Sequence, residues 1–170
     1  MEKKVKELEE RLGPDHQETL VSMNELGALL HDRGKLKEAE TWFRRSLEGR
    51  ERTLGPNHPI TLMAINNIAA MLNQQGKLSE SEVLMRRVLA GQERTLGPDN
   101  SGTLLSINNL AELLRQQGKL KNAEVLYHRA LEGQERTLGP DHPNTLNSIS
   151  LRCCSSKRSS VRPRYYFTAL

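Results

Sequence analysis

Aromatic residues make up only 4% of this chain, and its mean hydropathy is −0.63. A deep globular core needs bulky apolar side chains, so the scarcity fits thin helical layers with much exposed surface. Cysteine is nearly absent. Cys153 and Cys154 are adjacent and stand near the C-terminal end. They cannot staple the body of the chain, which argues against a disulfide-built secreted fold. No apolar run approaches the ~20 residues of a membrane-spanning helix. Met1 to Arg11 is charged throughout and lacks the apolar segment of a secretory signal. These absences point to a soluble chain in a reducing compartment, with cytoplasm as the expected location.

Acidic residues are missing from the last stretch. All 21 Asp and Glu lie within residues 1–150, beside 20 of the 25 Lys and Arg, so that part carries 20 − 21 = −1. The remaining positive charges are Arg152, Lys157, Arg158, Arg162 and Arg164. The basic pI is therefore a property of the tail, and a nucleic-acid reading of the whole chain loses its main support.

What is abundant is repetition. Leu12-Gly13-Pro14-Asp15-His16 returns as Leu54-Gly55-Pro56-Asn57-His58, as Leu96-Gly97-Pro98-Asp99-Asn100 and as Leu138-Gly139-Pro140-Asp141-His142. Each step is 42 residues. Residues 57–98 and 99–140 are identical at 25 of 42 positions without a gap. A fixed period of this size is the mark of a repeat architecture. An ordinary four-helix bundle has no reason to keep such exact spacing.

Each unit reads as two helices. The first is expected from about Thr61 to Gln74, with Leu62, Ile65, Ile68, Ala69 and Leu72 on one face. Gln75-Gly76-Lys77-Leu78 is a turn, where glycine suits a left-handed helix end. The second helix is expected from about Ser79 to Leu96 and stops at Gly97-Pro98. Asp15, Asn57, Asp99 and Asp141 stand where a helix cap is expected. Gly49, Gly91 and Gly133 fall inside the second helices, which predicts close approach by a neighbouring helix. Loops this short force antiparallel neighbours. The fold class is all-α, a right-handed solenoid of antiparallel helical hairpins. Residues 1–13 read as the end of a partial preceding helix. Residues 14–149 hold three full units and the start of a fourth.

Met23-x-x-Leu26-Gly27-x-x-Leu30, followed by Ala39-x-x-x-Phe43, resembles the tetratricopeptide signature. So does Ile107-x-x-x-Ala111-x-x-Leu114, followed by Ala123-x-x-x-Tyr127-x-x-Ala130-Leu131. The second unit departs at Ser81 and Met85. The usual tetratricopeptide period is 34 residues. The 42-residue period, with Leu-Gly-Pro-Asp-His-Pro and Ile-Asn-Asn-Leu-Ala, is similar to the kinesin light chain and nephrocystin branch. The resemblance covers roughly residues 5–149 and speaks to fold more than to function, because one scaffold hosts many partners.

What the resemblance implies is a concave groove lined by the first helix of each unit and able to hold an extended peptide. Helical angles lead to the same surface independently. With Ile65, Ala69 and Leu72 facing the core, Met63, Asn67, Ala70 and Gln74 face away. Leu105, Asn109, Glu112 and Gln116 do so in the third unit, and Val21, Glu25, Ala28 and Asp32 in the first. Asn24, Asn66 and Asn108 fall on the flank, near the seam between hairpins. Asparagine is an indifferent helix former, so its repeated use mid-helix asks for a reason. One reason is hydrogen bonding to the backbone of a peptide, as in the asparagine ladder of kinesin light chains. The other is bonding between adjacent hairpins. The candidate peptide-binding set is Asn67, Asn109, Gln74, Gln116, Asn24, Asn66, Asn108 and Arg115.

The charge of this face departs from the family. Kinesin light chains are associated with aromatic-acidic peptides, which need basic groove residues. Here Arg115 is the one cation placed near the face, beside Glu112, whereas Glu25 and Asp32 stand in the first unit. A neutral or mildly basic peptide is the expected ligand.

Catalytic and metal chemistry find no footing. His16, His58 and His142 recur with the unit, and one histidine per repeat cannot converge on one metal, so capping or loop roles are expected. His31 and His128 are isolated. No spacing suggests a nucleophile with its base, and the Gly-Pro-Asp steps punctuate helices rather than cradle phosphate. No enzyme activity, cofactor or metal is expected. Trp42 and Phe43 read as packing residues.

The pattern fails after Ile149. Residues 150–170 are Ser/Arg-rich and are expected to be disordered. A sharper reading gives this basic tail contact with nucleic acid or a membrane surface. The ragged ends suggest a piece of a longer array, and open apolar ends leave self-association as an alternative role.

Overall fold

The computed structural model describes residues 1–143 together with Thr145 and Ser148. The tail from residue 150 and most of the fourth unit lie outside the described residues. Among the described residues there are seven helices and no strand: α1 (Glu2–Leu12), α2 (Gln17–Asp32), α3 (Leu36–Leu54), α4 (Pro59–Gln74), α5 (Leu78–Thr95), α6 (Ser101–Gln116) and α7 (Leu120–Leu138). The pairs α2/α3, α4/α5 and α6/α7 are the hairpins of the three units, and α1 takes the place of a preceding second helix. The architecture is the expected all-α repeat solenoid.

The turn inside each hairpin is built the same way three times. Gly34, Gly76 and Gly118 hold φ of 74°, 75° and 77°. The following lysine amides reach back to close the helix, Lys35 to the Leu30 carbonyl, Lys77 to Leu72 and Lys119 to Leu114, each at 2.9 Å. This left-handed closure satisfies carbonyls that a helix end otherwise leaves unpaired.

The caps at the start of the first helices differ from expectation. They are His16, His58 and Asn100, one residue later than Asp15, Asn57 and Asp99. Nδ1 of His16 accepts from the Glu18 amide at 3.3 Å, Nδ1 of His58 from Ile60 at 3.3 Å, and Oδ1 of Asn100 from Gly102 at 2.9 Å. A cap must occupy the last extended residue before the helix, and His16 does so with φ −67° and ψ 141°. Asp15, Asn57 and Asp99 instead accept from Arg52, Arg94 and Arg136 at the far end of the same hairpin. Asp141 stands in the corresponding place ahead of the fourth unit, most of which lies outside the described residues.

The core lies between the helices of each hairpin and between neighbouring hairpins. Met23, Leu26, Phe43, Ile65, Ile68 and Leu72 anchor one end. Ile107, Leu110, Leu114 and Tyr127 anchor the other. Burial of one such side chain stabilises by about 1.5–3 kcal/mol. The second unit's departure at Ser81 is accommodated inside this core, since the Ser81 hydroxyl donates to the Ala69 carbonyl at 2.7 Å. The mid-helix glycines do mark close approach. Leu20, Leu62 and Leu104 of the first helices sit directly over Gly49, Gly91 and Gly133 of the second.

Charge ladders join successive hairpins. Arg45 pairs with Glu9, Arg87 with Glu51 (2.5 Å) and Arg129 with Glu93 (2.6 Å). Lys77 and Lys119 reach back to Glu40 (3.2 Å) and Glu82 (2.6 Å), which also hold Arg44 and Arg86. Arg45 lies over the half-buried Trp42, 5.4 Å from the ring centroid. These groups are partly exposed, so each pair contributes at most about 1 kcal/mol.

Candidate peptide-binding face

The first helices α2, α4 and α6 each bury one side and leave the other to solvent, and the 42-residue period lines up equivalent positions. One row is Val21, Met63 and Leu105, exposed by 41%, 48% and 49%. The next is Glu25, Asn67 and Asn109. Glu25 and Asn67 are exposed and Asn109 half-buried. Neither Asn67 nor Asn109 makes a side-chain hydrogen bond among the described residues. Of the candidate set, Asn67 and Asn109 alone stand in these rows.

The remaining predicted residues separate by environment. Asn108 is buried, and its Nδ2 donates to Ser148 Oγ at 2.9 Å. It joins α6 to the fourth unit and does not face solvent. Asn24 and Asn66 are half-buried at the same helical position, and the Asn24 Oδ1 is buried without a hydrogen-bond partner. The one-residue step from Asn67 to Asn66 turns the side chain by about 100°, from an exposed to a half-buried position. Gln74 is exposed, but its Oε1 lies 2.7 Å from His31 Nε2 across the unit boundary. That contact links α2 to α4.

A polar cluster distinguishes the third unit. Glu112, expected to face away from the core, is buried. It accepts from Arg115 at 2.8 and 2.7 Å, from the Tyr127 hydroxyl at 2.9 Å and from Gln116 at 3.3 Å. Arg115 is therefore held by a carboxylate. Burial, together with the Glu112 carboxylate, pushes the Tyr127 phenol far above the ordinary range, so it stays a donor. The signal for this cluster was internal to the chain. The third unit alone places Glu where the others have Ala28 and Ala70, and Tyr where they have Phe43 and Met85.

At the edge of the face, Lys4, Leu8 and Arg11 of α1 and Glu18, Val21 and Glu25 of α2 line an open cleft of ≈620 Å³. Among the described residues no group of three His, Cys, Asp or Glu could hold a metal. No described helix is long and apolar enough to cross a membrane.

Two tetratricopeptide-repeat family models match the chain, one over residues 3–52 and 18–94 and the other over residues 103–144. Among solved structures, the nearly identical tetratricopeptide-like repeats of a putative kinesin light chain from Podosopora anserina superpose with a TM-score of 0.81 at 25% identity, covering 91% of this chain and 73% of that one. BtubC (BKLC) from P. vanneervenii gives 0.66 at 16% identity, covering 89% and 70%. The N-terminal domain of stress-induced protein-1 (STI-1) from C. elegans gives 0.59 at 15%, covering 79% and 94%. The search of curated proteins returned no match.

Proposed function

The chain belongs to the tetratricopeptide-repeat family, and from that premise we propose that it is a non-enzymatic protein-interaction scaffold holding an extended peptide in a concave groove formed by α2, α4 and α6. One observation carries the reading. Asn67 and Asn109 occupy equivalent positions 42 residues apart, on the solvent side of their helices, with amides that no described residue engages. An amide offers both donor and acceptor, so it can pair with a peptide backbone whatever the peptide's side chains. Arg115 and Gln116, tied to Glu112, serve as the wall of the groove at its third unit, and Gln74 contributes from beside His31.

The test is affinity capture and titration of captured peptides with the wild-type chain and with the N67A/N109A double variant. The double variant weakens binding while its Tm stays within a degree or two, since surface substitutions cost less than about 0.5 kcal/mol. A large fall in Tm with intact binding makes these asparagines structural and removes the proposal.

Self-association is the second reading, and Leu29 favours it. Leu29 is 40% exposed, whereas its equivalents Met71 and Leu113 are 2% and 0% exposed. Leu29 lies beside Leu26 and Met1 in an open cleft of ≈330 Å³ between α1 and the end of α2. Light scattering across a concentration series separates the readings. A mass that rises with concentration and is suppressed by Leu29→Glu supports self-association.

A further inference from the structure

The three first helices present unequal charge to the proposed groove. α2 carries Glu18, Glu25 and Asp32 and no Lys or Arg. α4 carries no charged residue. In α6 the two charges, Glu112 and Arg115, are bonded to each other. All three acids of α2 are exposed. The cations near them are loosely placed. Lys4 Nζ is 3.8 Å from Glu25, with both side chains at least half exposed, and His31 Nδ1 is 3.6 Å from Asp32. Arg11 lines the cleft beside Glu18, Arg33 begins the turn after α2, and Lys35 ends it, paired with Glu38 at 3.1 Å. The Val21, Met63 and Leu105 row runs across the same three helices.

We propose that the groove is directional and selects an extended peptide with Arg or Lys at the end lying over α2 and apolar side chains against Val21, Met63 and Leu105. The inference rests on the groove reading above and adds the ligand's chemistry to it. Charge complementarity is the argument. Exposed carboxylates held only by long, solvent-exposed contacts to Lys4 and His31 attract a cationic segment and repel an acidic one, and this discriminates between partners more than it adds raw affinity. Screening confines the effect to about 8 Å at physiological salt, so the preference is local to α2. The neutral α4 and the internally paired α6 leave amide and apolar contacts as the means of holding the rest of the peptide.

The experiment titrates the full chain, by fluorescence anisotropy at 0.15 M salt, with a short capped peptide bearing arginines at one end and leucines spaced along a Ser/Gly backbone. Two counterparts replace the arginines by glutamates or the leucines by serines. The arginine–leucine peptide binds about tenfold or more tightly than either counterpart. Glu25→Lys with Asp32→Lys, both exposed positions, removes or reverses the arginine preference. Met63→Ser with Leu105→Ser removes the leucine preference. Unchanged helical circular dichroism shows that the variants fold. Equal binding of the three peptides, or an arginine preference that survives the charge reversal, overturns the inference. If all three bind equally and N67A/N109A weakens all three, the groove reading stands and only the ligand chemistry falls. If none binds, both fall. A dimer that forms without peptide and is lost in E25K/D32K puts a second copy on this face and also overturns the inference.

Discussion

Asn108 of α6 and Ser148, 40 residues ahead, are joined by a buried hydrogen bond of 2.9 Å. The bond puts one of two adjacent asparagines in the stack, while Asn109 beside it remains on the solvent side. Asn108→Ala therefore lowers stability by about 1–2 kcal/mol, the usual cost of losing a buried hydrogen bond and leaving its partner unsatisfied. Asn109→Ala costs less than about 0.5 kcal/mol. Thermal melts of the two single variants check the contrast, and similar losses in both would contradict it.

Crowding at the second-helix glycines gives a different stability prediction. A methyl group at Gly133 would lie 2.5 Å from Leu104 Cδ2 and 3.2 Å from Asp99 Oδ1. Leu104 is buried and cannot swing into solvent. Gly133→Ala gains about 1 kcal/mol of helix propensity and loses about 1–3 kcal/mol to overpacking, for a net loss of up to ~2 kcal/mol. Leu104→Ala then costs less in the G133A background than alone, because the two side chains compete for one space. Urea melts of the double-mutant cycle measure this, and strict additivity would refute it.

Removing the Tyr127 hydroxyl tests the third unit's polar cluster. Tyr127→Phe deletes a donor to Glu112, which keeps Arg115 and Gln116. The loss is about 1 kcal/mol. Glu112→Ala leaves the Tyr127 hydroxyl and the half-buried Arg115 without that carboxylate and costs more, about 2–4 kcal/mol. Denaturant midpoints of the two variants give the ranking, and the reverse order would count against it.

Acid sensitivity follows from Glu82 and Glu40. The hydrogen bond from Lys119 holds the Glu82 carboxyl below its ordinary value of 4.5, with Arg86 and Gln117 adding to it against partial burial. At Glu40 burial pulls upward, but Arg44 and Lys77 outweigh it and the net direction is again down. A carboxylate with a lowered folded pKa contributes stability that is fully present above its unfolded value and is lost as pH falls through the folded one. Glu82→Gln is therefore less stable than wild type at neutral pH, and the gap narrows as pH falls below the ordinary carboxyl value of 4.5. Thermal melts from neutral to acid pH check this. A gap that does not narrow in acid would show that the ladder contributes nothing through charge.

The hairpins and their boundaries could be read from the chain because helix signals are local. Apolar residues at three- and four-residue spacing, Gly76 after α4 and Pro98 after α5 act within a few residues of where they stand. Cap identity was harder. Asp15 and His16 are neighbours, and either side chain can accept a hydrogen bond. Only the backbone angles decide that His16 caps, while Asp15 turns to Arg52, 37 residues away. The fate of each candidate amide was likewise decided by residues distant in sequence. Gln74 meets His31, and Asn108 meets Ser148.

The sequence by itself determined the all-α class, the 42-residue unit, the hairpin turns and the helix faces, because these depend on spacing and on conformational preferences of single residues. Tertiary structure alone decided which side chains on those faces remain available. Val21, Met63, Leu105, Asn67 and Asn109 keep solvent contact, whereas Glu112 and Asn108 are buried and bonded. The physical reason is that helical angle sets a side chain's direction, but neighbouring hairpins set whether anything stands there to bond it. A buried polar group must find such a partner or bear the desolvation cost.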